Sequence, residues 1–208
     1  MAFGVILYGF SIFVTDTAAG AVFSKTTLSL AYSGSVVVGG ALAFPIGTWA
    51  DRRGIRYILV AGGACAAIGM GGFAAAQQPW QVIGAWWLFL GPASAMLFYE
   101  VAFIALDQWC APQDRPRALG LVTLIGGLAG IIFLPGTEWL VAKIEWRATA
   151  ALLGSLVLAT ALLTSIGLLQ RTDPPPRTER SRESRRLRRL LLRDRRFTIH
   201  TAAMVLVF

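Results

Sequence analysis

The chain has 208 residues, 56% of them apolar before its 22 glycines are counted, and 19 Lys and Arg against 11 Asp and Glu, for a formal charge of +8. Soluble domains hold roughly 45–50% apolar residues with glycine included, so a water-soluble core is excluded. Two cysteines and one histidine exclude a disulfide framework and a Cys/His metal site.

A helix rising about 1.5 Å per residue needs roughly 20 residues to cross about 30 Å of hydrocarbon. Six stretches qualify, at residues 2–19, 27–50, 57–76, 82–107, 117–139 and 148–169, and a seventh run goes from Phe197 to Phe208. Runs such as VAGGACAAIGMGGFAAA are continuously apolar where a barrel strand would alternate, so the spans read as helices. Helices also satisfy their own backbone hydrogen bonds in lipid. The expectation is an all-α membrane protein: a six-helix bundle over 1–170, a basic loop over 171–196 and the start of a seventh helix over 197–208. That last run is too short to span, so the chain reads as the first part of a longer protein. The first run begins at Met1 with neither the basic start nor the small-residue cleavage site of a signal peptide.

Along the chain, charges inside the spans draw attention, because one at the bilayer centre costs about 2.5–3.5 kcal/mol on insertion scales. The first span carries Asp16, the fourth Glu100 and Asp107, and the fifth Glu138. Asp107 and Glu138 lie near helix ends, within reach of water or a neighbouring arginine, and Asp107 is a candidate ion-pair partner for Arg52, Arg53 or Arg56. Glu100 lies deep within MLFYEVAFIALDQW. A carboxyl group there can load and release a proton as its access to water alternates; a protonated Glu bonded to another helix is the alternative.

Basic residues set the orientation, since short cytoplasmic loops carry the excess of Lys and Arg. Arg52, Arg53 and Arg56 follow the second span, Arg115 and Arg117 the fourth, and eleven arginines from Arg171 to Arg196 the sixth. The opposite side holds Lys25, Lys143 and Arg147. Every second loop is basic, which places the N-terminus and loop 171–196 in the cytoplasm and the bundle in the inner membrane.

The second span ends in FPIGTWADRRGIR, where Gly47, Asp51, Arg52, Gly54 and Arg56 resemble the Gly-x-x-x-Asp-Arg-x-Gly-Arg pattern between the second and third helices of the major facilitator superfamily. Tyr57 stands where the family usually has a further arginine. The resemblance covers the whole chain, since six helices, a long basic loop and a seventh helix match the family's first half, built as a three-plus-three inverted repeat. It implies that Asp51 meets a helix of the second half and helps latch the cytoplasmic side in the outward-facing state. It also implies that the first and fourth helices line a central cavity, which makes Glu100 and Asp16 candidates for the proton or solute site. Within the chain, FPIGTWADRR aligns with LPGTEWLVAK at an offset of 90, pairing Pro45 with Pro135, Trp49 with Trp139 and Arg53 with Lys143, where such a repeat would place them.

The small residues of AGGACAAIGMGG and GLVTLIGGLAG suit close helix crossing. GGLAGIIFLPG does not reproduce the antiporter motif of drug-exporting members. FSKTTLSLAYS and PRALGLVTLIGGLAG are similar to bacterial members near the monocarboxylate and organic-anion porters. The segment RTDPPPRTERSRESRRLRRLLLRDRR reads as a flexible linker followed by a short helix suited to the anionic inner leaflet. Arginine runs also bind nucleic acid through phosphates, but one between membrane segments answers to the orientation rule, and no nucleic-acid partner is expected.

No phosphate-binding loop appears, Cys65 and Cys110 have no metal spacing, and His200 falls in the seventh run. No cofactor, metal or enzymatic activity is therefore expected. The resemblance implies the first half of a secondary transporter moving a small organic solute by alternating access, with proton coupling through Glu100 as one option, completed by a C-terminal half outside this chain. The alternative is a non-transporting membrane scaffold or assembly partner built on the same bundle.

Overall fold

Helix boundaries fall where the sequence supplies a cap, a proline or a one- to two-residue joint. The computed structural model describes residues 1–15, 18–98, 101–103, 106 and 113–169, with the backbone alone for Asp51, Arg52, Arg53, Leu168 and Leu169. Loop 171–196, the run 197–208, Asp16, Glu100, Asp107 and Cys110 lie outside the described residues. All described residues belong to the unit Met1–Pro174, and among them there are helices and no strands.

Helix α1, Gly4–Phe13, starts with a π-helical turn, Gly4–Tyr8. The sequence predicts a span to residue 19, but the helix ends at Phe13, a reach of about 15 Å. Ser11 Oγ donates to the Tyr8 carbonyl and Thr15 Oγ1 to the Ile12 carbonyl, each at 2.7 Å. Such side-chain bonds offer the backbone an exit from the helix, and a 3₁₀ turn, Ala19–Ala21, follows.

Helix α2, Lys25–Arg53, is capped by Ser24, whose Oγ accepts from the Thr27 N–H at 3.1 Å, as an N-cap serine does. Helix α3, Ile55–Ala75, follows after Gly54 alone. Helix α4, residues 79–97, opens on Pro79, where a missing N–H costs nothing, and Gln81 Oε1 accepts from the Gln77 and Gln78 N–H groups at 2.7 and 3.1 Å. It contains a second π-helical turn, Trp86–Leu90. The predicted span 82–107 is interrupted: Phe98 turns to an extended conformation (φ −81°, ψ −168°), and helix returns at 101–103.

The run Arg115–Gly167 covers 53 residues, about 80 Å as one helix and far more than a bilayer needs. It is divided at Ile144 (φ −127°, ψ 15°) and Glu145 (φ 66°, ψ 159°) into α5, residues 115–143 with a one-residue turn at Leu128, and α6, residues 146–169. The predicted loop between the fifth and sixth spans is thus a two-residue joint. Lys25–Ala50, Ile55–Ala75, Pro79–Phe103 and the divided Arg115–Gly167 are long and apolar enough to cross a membrane.

The core joins α1, α2, α3, α4 and α6 through aromatic side chains. Phe10 stacks on Tyr32 with ring centroids 4.5 Å apart, and Trp86 meets Phe10 at 4.9 Å and Phe73 at 5.8 Å, edge to face. Phe13, Phe73, Trp86 and Leu90 are buried. Helices in lipid gain little from hydrophobic burial against one another and depend on close packing at small residues. The α3–α6 seam shows this twice: a Cβ added at Gly63 would lie 2.6 Å from the Ala161 Cβ, and one added at Gly154 would lie 2.7 Å from the Met70 Cβ. Helix α5 is different, since Arg115–Gly127 buries no residue, and only its later part rests on α1, where Phe133 lies against Gly4 and Tyr8 against Gly130.

Candidate functional site

The charged motif sits on the joint between α2 and α3. Pro45 stands inside α2 and cannot donate to the turn before it, while Thr48 Oγ1 donates to the Pro45 carbonyl at 2.8 Å. Gly54 adopts φ 83°, ψ 159°, a conformation that a Cβ would resist, and its N–H donates to the Ala50 carbonyl at 3.1 Å. Ile46, Ala50, Ile55 and Ile58 are buried with Ala95 and Val101 of the fourth span. This small cluster fixes the angle at which α3 leaves α2, so the motif residues stand on a rigid corner.

Among the described residues, nothing lies within 4 Å of a Cβ added at Gly47. That surface is available to a second helix. Asp51 and Arg52 lie in the last turn of α2, where only the backbone is described. Arg56 is half-buried in the first turn of α3, and Ile55 separates it from Gly54, one residue more than the Gly-Arg pair of the pattern. Tyr57, in place of the family's further arginine, is 67% exposed. The structure therefore brings Gly47, Gly54 and Arg56 to one corner, while the paired candidates Glu100 and Asp16 and the ion-pair candidate Asp107 fall outside the described residues.

What sequence reasoning missed lies at the other joint. The alignment at an offset of 90 holds through Arg53 and Lys143; beyond them the structural match continues at 91, with Ile144 as the extra residue. Glu145 then takes the place of Gly54, with ψ 159° in both and φ values of 66° and 83°. Arg147 takes the place of Arg56, and Gly154 that of Gly63. Glu145 is the one non-glycine residue with positive φ among the described residues. Its backbone region is almost confined to glycine, at a cost of order 1–3 kcal/mol for other residues. No compositional signal marks it; only the alignment with Gly54, moved by one, would have.

The surroundings of this second joint are firmly packed on the α6 side. The Arg147 guanidinium donates to the Ala74 carbonyl in the last turn of α3, a cation at the negative end of a helix. It also lies 4.5 Å from the centroid of the Trp146 ring, close enough for a cation–π contact. Trp146 is buried and meets Phe73 at 5.3 Å and Phe23 at 6.3 Å, and Thr149 Oγ1 donates to the Glu145 carbonyl at 2.8 Å.

Two further features concern the helices expected to line a cavity. Both α1 and α4 contain a π-helical turn, a distortion frequent at functional sites, and α4 is interrupted at Phe98, two positions before Glu100. Trp86 opens the α4 distortion, and its buried indole N–H has no partner among the described residues. Among those residues no three His, Cys, Asp or Glu side chains gather as metal ligands would.

A family model described as Major Facilitator Superfamily matches residues 1–208. No curated protein matches the chain.

Proposed function

The chain belongs to the Major Facilitator Superfamily, whose members are transporters, and we propose that it forms the first six-helix half of a secondary active transporter that moves a small organic solute across the inner membrane by alternating access. The carrying observation is the family match over 1–208 together with Gly47, Gly54 and Arg56 at the α2–α3 corner. Asp51 and Arg52, in the same turn of α2, contact the second half and latch the cytoplasmic side. The open surface at Gly47 supports a close helix approach there.

The fourth span supplies the coupling site in this reading. Glu100 loads and releases a proton, with Asp16 of the first span nearby, and the interruption of α4 at Phe98 supports it, since broken helices surround the sites of many transporters. Asp107 pairs with the arginines of the α2–α3 corner. The solute is a small organic anion, in keeping with the resemblance of FSKTTLSLAYS and PRALGLVTLIGGLAG to organic-anion porters. Residues 1–170 form the bundle, 197–208 begin the seventh helix, and the arginines of 171–196 rest on the anionic inner leaflet.

The deciding experiment expresses the intact reading frame in cells and measures uptake from a panel of labelled small carboxylates under an imposed inward pH gradient, with and without a protonophore. Accumulation that the protonophore collapses is expected. Accumulation that the protonophore leaves unchanged would overturn proton coupling, and no accumulation of any solute by correctly inserted protein would favour the scaffold.

A further inference from the structure

The two joints share a backbone shape but not a residue, and their surroundings differ. At Gly54 the conformation is free of strain. At Glu145 the same ψ and a similar φ carry a Cβ, and the side chain is exposed, so it gains no buried packing in return for the strained backbone. Strain of this kind persists only where the surroundings over-determine it. Here the α6 side does so through specific bonds: Arg147 holds the Ala74 carbonyl, Trp146 is wedged against Phe73 and Phe23, and Thr149 holds the Glu145 carbonyl. On the other side, the part of α5 far from the joint is lightly held, with no buried residue over Arg115–Gly127, while its later part rests on α1, with Thr137 buried and Phe133, Leu140 and Val141 against the core.

We propose that the Ile144–Glu145 joint is a sprung hinge: the docking of Trp146 and Arg147 onto α3 and its neighbours holds Glu145 in a backbone conformation that its Cβ disfavours, and relaxation of the joint moves α5 relative to the α3–α6 seam. The strain raises the energy of the arrangement described above relative to one in which the joint has relaxed. It thereby shifts the balance between two positions of α5, while α3 and α6 stay locked at Gly63 and Gly154. The hinge does not depend on the transport reading, because its test needs no solute.

The test uses the chain in lipid nanodiscs, as wild type, Glu145→Gly, Glu145→Ala and Arg147→Gln, followed by hydrogen exchange and thermal unfolding. Glycine removes the Cβ penalty and is expected to raise the unfolding midpoint by several degrees and to slow exchange at residues 141–149 about tenfold. That gain arises although glycine also loosens the unfolded chain. Alanine keeps the Cβ and is expected to behave as wild type. Arg147→Gln is expected to speed exchange over 141–149 and to leave 63–70 and 150–161 unchanged. Equal gains from alanine and glycine would overturn the proposal, since the side chain rather than the backbone would then be responsible. No gain from glycine, or a rise in exchange spread evenly over the bundle in Arg147→Gln, would overturn it as well. Should Arg147→Gln fail to fold, the comparison of glycine with alanine decides alone.

Discussion

Gly63 and Gly154 face each other's helices through one reciprocal set of contacts. Gly63 lies against Leu158 and Ala161, and Gly154 against Ala67 and Met70. Adding 91 to the α3 positions gives the α6 positions in every case, so the seam has an internal two-fold relation. Such a relation is what an inverted repeat would produce at this seam.

This reciprocity makes a prediction about packing. Gly63→Ala would bring its Cβ to 2.6 Å from the Ala161 Cβ, and overpacking of that kind costs about 1–3 kcal/mol. Ala161→Gly in the same chain should restore most of the loss. Unfolding of the single and double variants in detergent measures the coupling; simple additivity would mean that the two positions do not share one contact.

Much of the architecture was legible because lipid imposes it. Span length, continuous apolarity and the sorting of arginine are demands of the bilayer, so 27–50, 57–76 and 148–169 needed only small changes at their ends. The first span is shorter than apolar composition suggests, since composition says nothing of the Ser11 and Thr15 bonds that end α1, and it says nothing of the extended turn at Phe98 inside the fourth. The α2–α3 joint was visible through Gly54, whereas its partner was hidden because Glu145 takes a glycine conformation without being glycine.

Trp86 combines full burial with an indole N–H that has no partner among the described residues. Replacement by Ala removes the ring that Phe10, Tyr32 and Phe73 pack against, at an expected cost of about 3–5 kcal/mol. Trp86→Phe keeps an aromatic ring and deletes the orphan donor, whose burial costs about 1–3 kcal/mol. The Phe variant should therefore lose less than half as much as Ala in unfolding experiments. Equal losses would show that the N–H is not a net burden.

Loop accessibility tests the proposed threading. In a background without Cys65 and Cys110, Gln78→Cys on the α3–α4 connection should react with a membrane-impermeant maleimide applied to intact cells. Gln113→Cys, just before α5, should react only after permeabilisation. The reverse pattern would place the arginines of the α2–α3 corner outside and invert the orientation.

Glu100 carries the last expectation, and its test must separate coupling from folding and from solute binding. A glutamine at position 100 keeps the shape and hydrogen-bonding capacity of a protonated glutamate but cannot release a proton. In the intact transporter, Glu100→Gln should abolish uptake driven by a pH gradient. Exchange of labelled for unlabelled solute across the membrane, which needs no net proton movement, should continue. The contrast arises because alternating access moves the bundle whether or not the site titrates, whereas a gradient does work only through a group that changes protonation between its two water-exposed states. Loss of both activities would instead assign Glu100 to the solute site or to the fold. Retention of both would remove it from the coupling path and shift attention to Asp16.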